Sequence, residues 1–312
     1  MEDILKENIL EVCKNKYQYL MSLRNVVGVG LGYKYINSVR SSMPCIHVLV
    51  HKKLHSSCIS KDNLVPKNYL GIVTDVLQSG TFYDSGLTNR IRPLQGGYGI
   101  STKDAPEKFS GTMGCIVTRG RISKDYFILT NNHVLIRNDI KKITPQVLQP
   151  AFGDGGVYPK DFIATLSRYV PLKFKTALKT PINYMDCAIA KLENSSLKSN
   201  IIAKLGKVKG KSNPVLEESI KMVGSTTGLT LGHVLTTGVS VSVKYSSAGG
   251  RVAFFKDQVN IGMKTHGGDS GSVVLNSKNE VVGLYFSGND QDNGLMTPIK
   301  PVLESLNVDI YK

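Results

Sequence analysis

Three side chains in this 312-residue chain have the types and settings that nucleophilic chemistry needs. Ser270 lies in Gly267-Gly268-Asp269-Ser270-Gly271-Ser272, immediately before an apolar run. A serine hydroxyl becomes a useful nucleophile where the backbone turns tightly enough to present Oγ and to aim its amides at one point, a shape that favours residues without Cβ. The amides of Gly268 and Ser270 are the candidate oxyanion hole, in which loss of one donor typically costs ~3 kcal/mol of barrier. His133 follows the apolar run Phe127-Ile128-Leu129, where a short turn can expose it, and its unperturbed pKa of about 6.5 suits a general base. Asp186 interrupts the apolar run Tyr184-Met185-Asp186-Cys187-Ala188-Ile189-Ala190. Burying a carboxylate there is costly unless it is hydrogen-bonded, and an imidazole N–H is one such partner. That bond would leave the other ring nitrogen free to take the serine proton. Each signal alone has a plainer reading: a glycine-rich turn, a histidine packed at a strand end, and an aspartate capping a turn.

The elements that must position these residues are mostly strands. From about residue 95 onward short β-rich runs alternate with turns, the pattern of a barrel or sandwich. The clearest runs are 127–129, 239–243, 273–275 and 281–284, and helical periodicity returns only at 299–306. The lysine-rich stretch Lys204-Leu205-Gly206-Lys207-Val208-Lys209-Gly210-Lys211 falls between two β-rich halves and reads as a solvated linker, so two barrels joined there are expected, over 93–203 and 204–312. Ahead of them, residues 4–21 show one amphipathic helical period, and 26–33, 45–50 and 70–77 read as strands. Residues 1–92 are therefore expected to form a small α/β domain, a scaffold or regulatory element whose glycine-rich strand and helix also allow a homo-oligomer. The Gly28-Val29-Gly30-Leu31-Gly32 series sits within a strand pattern with no helix start after it, which argues against a dinucleotide site.

The order His133, Asp186, Ser270 distinguishes among triad folds. With that order, the chain resembles the chymotrypsin-like serine peptidase superfamily. Thr130 to Val134 is similar to its histidine segment, Met185-Asp186-Cys187-Ala188 to its aspartate segment, and Gly268-Asp269-Ser270-Gly271 to its serine segment. Within it, Asn25 to Lys34, Asp75-Val76, Arg90-Ile91-Arg92-Pro93, Asn131-Asn132-His133-Val134 and Thr226-Thr227-Gly228-Leu229-Thr230 resemble bacterial trypsin-like peptidases related to the plant narrow-leaf protease. The resemblance implies a mainly β fold of two antiparallel six-stranded Greek-key barrels behind the α/β domain. It implies a serine endopeptidase acting on protein or peptide, with His133, Asp186 and Ser270 catalytic and no cofactor. It also implies a specificity pocket lined by Lys264, Thr265 and His266, with Tyr285, Phe286, Ser287 and Gly288 opposite, where basic or hydroxyl groups would favour an acidic side chain. In secreted relatives the aspartate before the serine pairs with a newly cut N-terminus. About 95 residues precede the barrels here, so Asp269 is expected to find another partner.

Composition narrows the alternatives. Five scattered cysteines, Cys13, Cys45, Cys58, Cys115 and Cys187, with no export signal in the first segment, fit reduced thiols and a cytoplasmic protein. A structural metal site needs Cys or His paired at two- to four-residue spacing; the five cysteines read as scattered without such a neighbour, so no metal is expected. No apolar stretch approaches the ~20 residues of a membrane span. The net charge of +15 raises nucleic acid as a partner, but no recognition motif accompanies it. The rivals are a protease-fold binding module without turnover and a basic, nucleic-acid-associated protease.

Overall fold

The computed structural model describes residues 2–80, 86–120, 125–136 and 144–312, and its contacts divide the chain into two units, residues 1–84 and 85–312. In the first unit, helices α1 (Glu2–Asn15) and α2 (Gln18–Ser22) precede strands β1 (Val26–Ile36), β2 (Val39–Val50), β3 (Asn68–Tyr69) and β4 (Ile72–Gln78). The single helix expected over 4–21 is thus two, broken at Lys16 and Tyr17. Leu20 and Leu23, beyond the break, join Ile9 and Val12 in one buried cluster with Ile46, Val48 and Ile72 of the sheet. That sheet runs β1-β2-β4-β3, with β2 and β4 parallel and the other pairs antiparallel.

The second unit contains β5 (Gly99–Thr102), β6 (Gly111–Thr112), β7 (Ile116–Thr118), β8 (Tyr126–Thr130), the short helix α3 (Asn132–Leu135), β9 (Gln146–Leu148), β10 (Phe162–Tyr169), β11 (Ile182–Asn183) and β12 (Ala188–Leu192). Then come β13 (Ile201–Ile202), β14 (Gly206–Lys207), β15 (Gly210–Lys211), β16 (Ser219–Gly224), β17 (Gly228–Tyr245), β18 (Arg251–Gly262), β19 (Val273–Asn276), β20 (Glu280–Gly288), β21 (Asn293–Pro298), α4 (Ile299–Leu306) and β22 (Asp309–Ile310).

Two six-stranded antiparallel barrels emerge from the pairing. In the first, β6 and β7 are the two ends of one bent strand, which pairs with β5 at its start and with β8 at its end. The ring closes through β12, β10 and β9 back to β5. In the second, β16-β17-β18-β21-β20-β19 closes on β16. Counted along the chain, both rings run first, second, third, sixth, fifth, fourth, the same Greek-key topology twice. Ile100, Ile116, Ile128 and Ile163 fill the first barrel, and Met222, Val234, Ile261 and Met296 the second. A third cluster joins Leu129 and Ile189 of the first barrel to Val273 and Leu284 of the second and to Ile299, Val302 and Leu306 of α4.

The barrels also exchange chain. β11 pairs with β18 of the second barrel, and β22 returns to pair with β7 of the first. The lysine-rich stretch is not a solvated linker: β13 and β14 form a hairpin, β15 runs parallel to β20, and Val208 is buried. Its lysines lie outward while the backbone is paired, and Lys211 Nζ meets Asp309 Oδ1 at 2.9 Å. Charge along a sequence reports which side chains need water; it does not report whether the intervening amides have partners.

Candidate active site

His133 comes from α3, directly after β8, and Asp186 from the segment between β11 and β12. Ser270 comes from the loop between β18 and β19, so the first barrel carries two of the three groups and the second carries the hydroxyl. His133 Nδ1 lies 2.6 Å from Asp186 Oδ2, and the His133 backbone amide donates to Oδ1 at 3.2 Å. Asp186 is fully buried, so its charge must be met by donors inside the protein. Tyr245 at the end of β17 supplies a further one, its hydroxyl donating to Oδ2 at 2.8 Å. Burial, then the Asp186 charge, lifts the Tyr245 phenol well above its ordinary range, so it stays a donor. The Asn131 side chain donates to the Asp186 carbonyl at 2.7 Å and fixes the segment itself.

A carboxylate accepts only, so His133 Nδ1 carries a proton and Nε2 is left with its lone pair. Ser270 Oγ donates to the carbonyl of Phe286 at 3.3 Å. Ser270 and His133 both line one cavity of about 430 Å³.

The loop before Ser270 is held by a lattice of hydroxyls. Thr112 Oγ1 and Ser225 Oγ donate to the Gly268 carbonyl at 2.8 and 3.0 Å, one from each barrel. Thr226 Oγ1 donates to the Gly267 carbonyl at 2.8 Å, and Ser272 Oγ and amide donate to the Asp269 carbonyl at 2.7 and 3.1 Å. In a trans peptide the N–H points opposite to the C=O. Tying down the carbonyls of Gly267 and Asp269 therefore turns the amides of Gly268 and Ser270 the other way, and no protein acceptor takes up either amide among the described residues. Gly268 has φ +103°, and a Cβ there would stand 2.1 Å from Thr226 Oγ1, so glycine is required for both conformation and space.

Asp269 is also fully buried. It accepts from the amides of Thr226, Thr227 and His266 at 3.1, 2.9 and 2.8 Å, and from the Thr227 hydroxyl. These are the other partners expected for it.

Of the seven residues assigned to a specificity pocket, Thr265, His266, Tyr285, Phe286, Ser287 and Gly288 line the cavity. Lys264 does not: it is exposed and lies outside the lining, while its neighbour Thr265 is buried in the wall. Tyr285 OH donates to Thr265 Oγ1 at 2.8 Å, which sets a pair of hydroxyls in the wall, and Lys108 and Lys244 add basic groups that sequence reasoning missed. It also missed Tyr245, Thr112 and Ser225, whose types are ordinary for strands and turns. Asn131 and Thr226-Thr227, by contrast, lie in segments that carry the family resemblance.

All five cysteines are free, and Cys115 and Cys187 are buried. No helix among the described residues is long and apolar enough to cross a membrane.

Residues 112–284 match the family described as the trypsin-like peptidase domain, a span that begins within the bent strand of the first barrel and ends in β20. Among solved structures, the chain is similar to Thermobifida fusca protease A at 15% identity, over 70% of this chain and 98% of that one, with a TM-score of 0.49. It is similar to a Nocardiopsis protease at 17% identity, over 70% and 98%, with a TM-score of 0.49. A glutamic acid specific serine protease, described as using a histidine triad in substrate binding, is similar at 19% identity, over 70% and 100%, with a TM-score of 0.49. No curated protein is significantly similar in sequence.

Proposed function

Because the chain belongs to the trypsin-like peptidase domain family, we propose that it is a serine endopeptidase that cleaves peptide bonds through an acyl-enzyme on Ser270. His133 Nε2 takes the Ser270 proton as Oγ turns from the Phe286 carbonyl and attacks the scissile carbonyl carbon. The amides of Gly268 and Ser270 hold the oxyanion of the tetrahedral intermediate. His133 then gives its proton to the leaving amine, and a water activated by the same nitrogen releases the acyl group. Asp186 keeps the imidazole in the tautomer that these steps need. The observation that carries this reading is the 2.6 Å contact between His133 and a fully buried Asp186, in a cavity that Ser270 also lines. The segments Asn131 to Val134 and Thr226 to Thr230 are the ground for allying the chain, within the family, to bacterial peptidases related to the plant narrow-leaf protease.

A fluorophosphonate probe tests the reading. It should label the wild-type chain on Ser270 and fail on Ser270→Ala, with hydrolysis of a protein substrate lost in parallel. A folded wild type that binds peptides yet takes no label and cleaves nothing would instead be a binding module on the same fold.

A second reading concerns substrate choice. Among the described residues, Lys108, Lys244 and His266 line the cavity against one acid, Asp290, and the Thr265–Tyr285 hydroxyl pair stands in its wall. This balance favours an acidic side chain on the acyl side of the scissile bond, with no contribution from Lys264. A peptide-library profile dominated by Arg or Lys at that position would end it.

A further inference from the structure

The first unit holds a cluster that peptide hydrolysis does not use. Cys45 and His47 are two residues apart on β2, so their side chains leave the same face of the strand. The parallel register places Asp75 of β4 directly beside His47. Cys45 Sγ, a His47 ring nitrogen and an Asp75 carboxylate oxygen all lie within 4.8 Å of one another. Cys45 is fully buried, while His47 and Asp75 are partly open to solvent. Contrary to the expectation of no paired ligands, Cys45 and His47 stand at two-residue spacing, and strand pairing supplies the third group.

Three further features orient these groups. His47 Nε2 sits 2.9 Å from the Tyr33 carbonyl, which can only accept, so Nε2 carries the proton and Nδ1 keeps its lone pair. Asp75 Oδ2 accepts from the Tyr35 amide at 2.7 Å, which pins the carboxylate and leaves Oδ1 available. Gly32 lies opposite Cys45 in the sheet, and a Cβ there would stand 2.1 Å from the His47 ring, so glycine makes the room that the imidazole occupies. Such outer hydrogen bonds, a carbonyl on the imidazole and a donor on the carboxylate, are what metal ligands characteristically have behind them. The Lys34 ammonium, bonded to the Thr74 carbonyl at 3.2 Å, is a positive charge near the Cys45 thiol and the Asp75 carboxylate.

We propose that Cys45, His47 and Asp75 bind a divalent transition-metal ion, with zinc the fitting one. Thiolate, imidazole and carboxylate are its ligand types, and a sulfur donor discriminates against magnesium and calcium. Water fills the fourth position, through the open side of His47 and Asp75. The Cys45 thiol gives up its proton to solvent as the metal–sulfur bond forms. The ion ties β2 to β4 within the first unit.

The test uses the full chain, stripped with chelator under reductant and titrated with cobalt(II) as a visible stand-in. One equivalent should produce a thiolate-to-cobalt charge-transfer band that zinc bleaches, and zinc should raise the thermal midpoint. Cys45→Ser should abolish the band. His47→Gln and Asp75→Asn should each weaken cobalt binding roughly tenfold or more, since even outer-shell losses cost about 10- to 100-fold. Should Cys45→Ser not fold, as checked by circular dichroism, the Asp75→Asn titration carries the test. A folded wild type with no band at one equivalent would overturn the proposal. So would a band that survives Cys45→Ser but disappears in Cys58→Ser, and so would unchanged affinity in Asp75→Asn.

Discussion

Tyr245 donates its hydroxyl to the same Asp186 oxygen that receives the His133 imidazole, and the two rings meet edge to face with centroids 5.4 Å apart. The tyrosine comes from the second barrel and the aspartate from the first, so the carboxylate's orientation depends on both.

Tyr245→Phe keeps the ring and removes only that donor. A hydrogen bond to a charged group is worth about 1.5–3 kcal/mol. The variant should fold and bind substrate with unchanged KM, while kcat falls roughly 10- to 100-fold; steady-state kinetics on one peptide checks it. A raised KM with unchanged kcat would show that Tyr245 serves the pocket and not the carboxylate.

Asp269 has four donors inside the fold and needs no new N-terminus to satisfy it. The uncleaved chain should therefore be active. Intact-mass spectrometry of probe-labelled protein should show the full-length species, and Asp269→Asn, which turns an amide toward those donors, should lower labelling at least tenfold, in line with the 1–3 kcal/mol or more of a broken buried network. Labelling confined to a species cut near Gly96 to Ile100 would contradict this.

Gly268→Ala adds a methyl 2.1 Å from Thr226 Oγ1 at a φ that L-residues avoid. The peptide must turn, taking one oxyanion donor with it. Turnover should drop about 10²- to 10³-fold, with the circular dichroism of a folded protein, a thermal midpoint lowered by the strain at that φ, and a substrate-like inhibitor still bound.

Alkaline pH should unfold the second unit early. Burial lifts the Cys115 thiol from 9.0 to about 12 and the Tyr285 phenol from 10.0 to about 12. Both folded values lie above the unfolded ones, so this stabilisation is complete below the unfolded pKa and is lost as pH rises toward 12, because the unfolded chain ionises first. Thermal midpoints should hold to about pH 9 and fall beyond it. Tyr285→Phe should flatten the fall between pH 10 and 12, by roughly 2–3 kcal/mol over that interval.

The sequence by itself determined what depends on residue type and near neighbours. The strands at 127–129, 273–275 and 281–284, the helix over 299–306, and His133, Asp186 and Ser270 as the residue types for a triad were all legible there. So was the need for glycine at 268, since backbone freedom is a property of one residue. Which strand pairs with which was not, because every strand offers the same amides and carbonyls and the choice is made by packing far along the chain. Tertiary structure alone closed the two barrels, drew residues 204–211 into paired strands, turned Lys264 away from the cavity, and brought Tyr245, Thr112 and Ser225 to the site. The same non-local pairing set Asp75 beside Cys45 and His47. Local pattern names the groups that can react or bind; hydrogen bonding and burial between distant segments decide which of them meet.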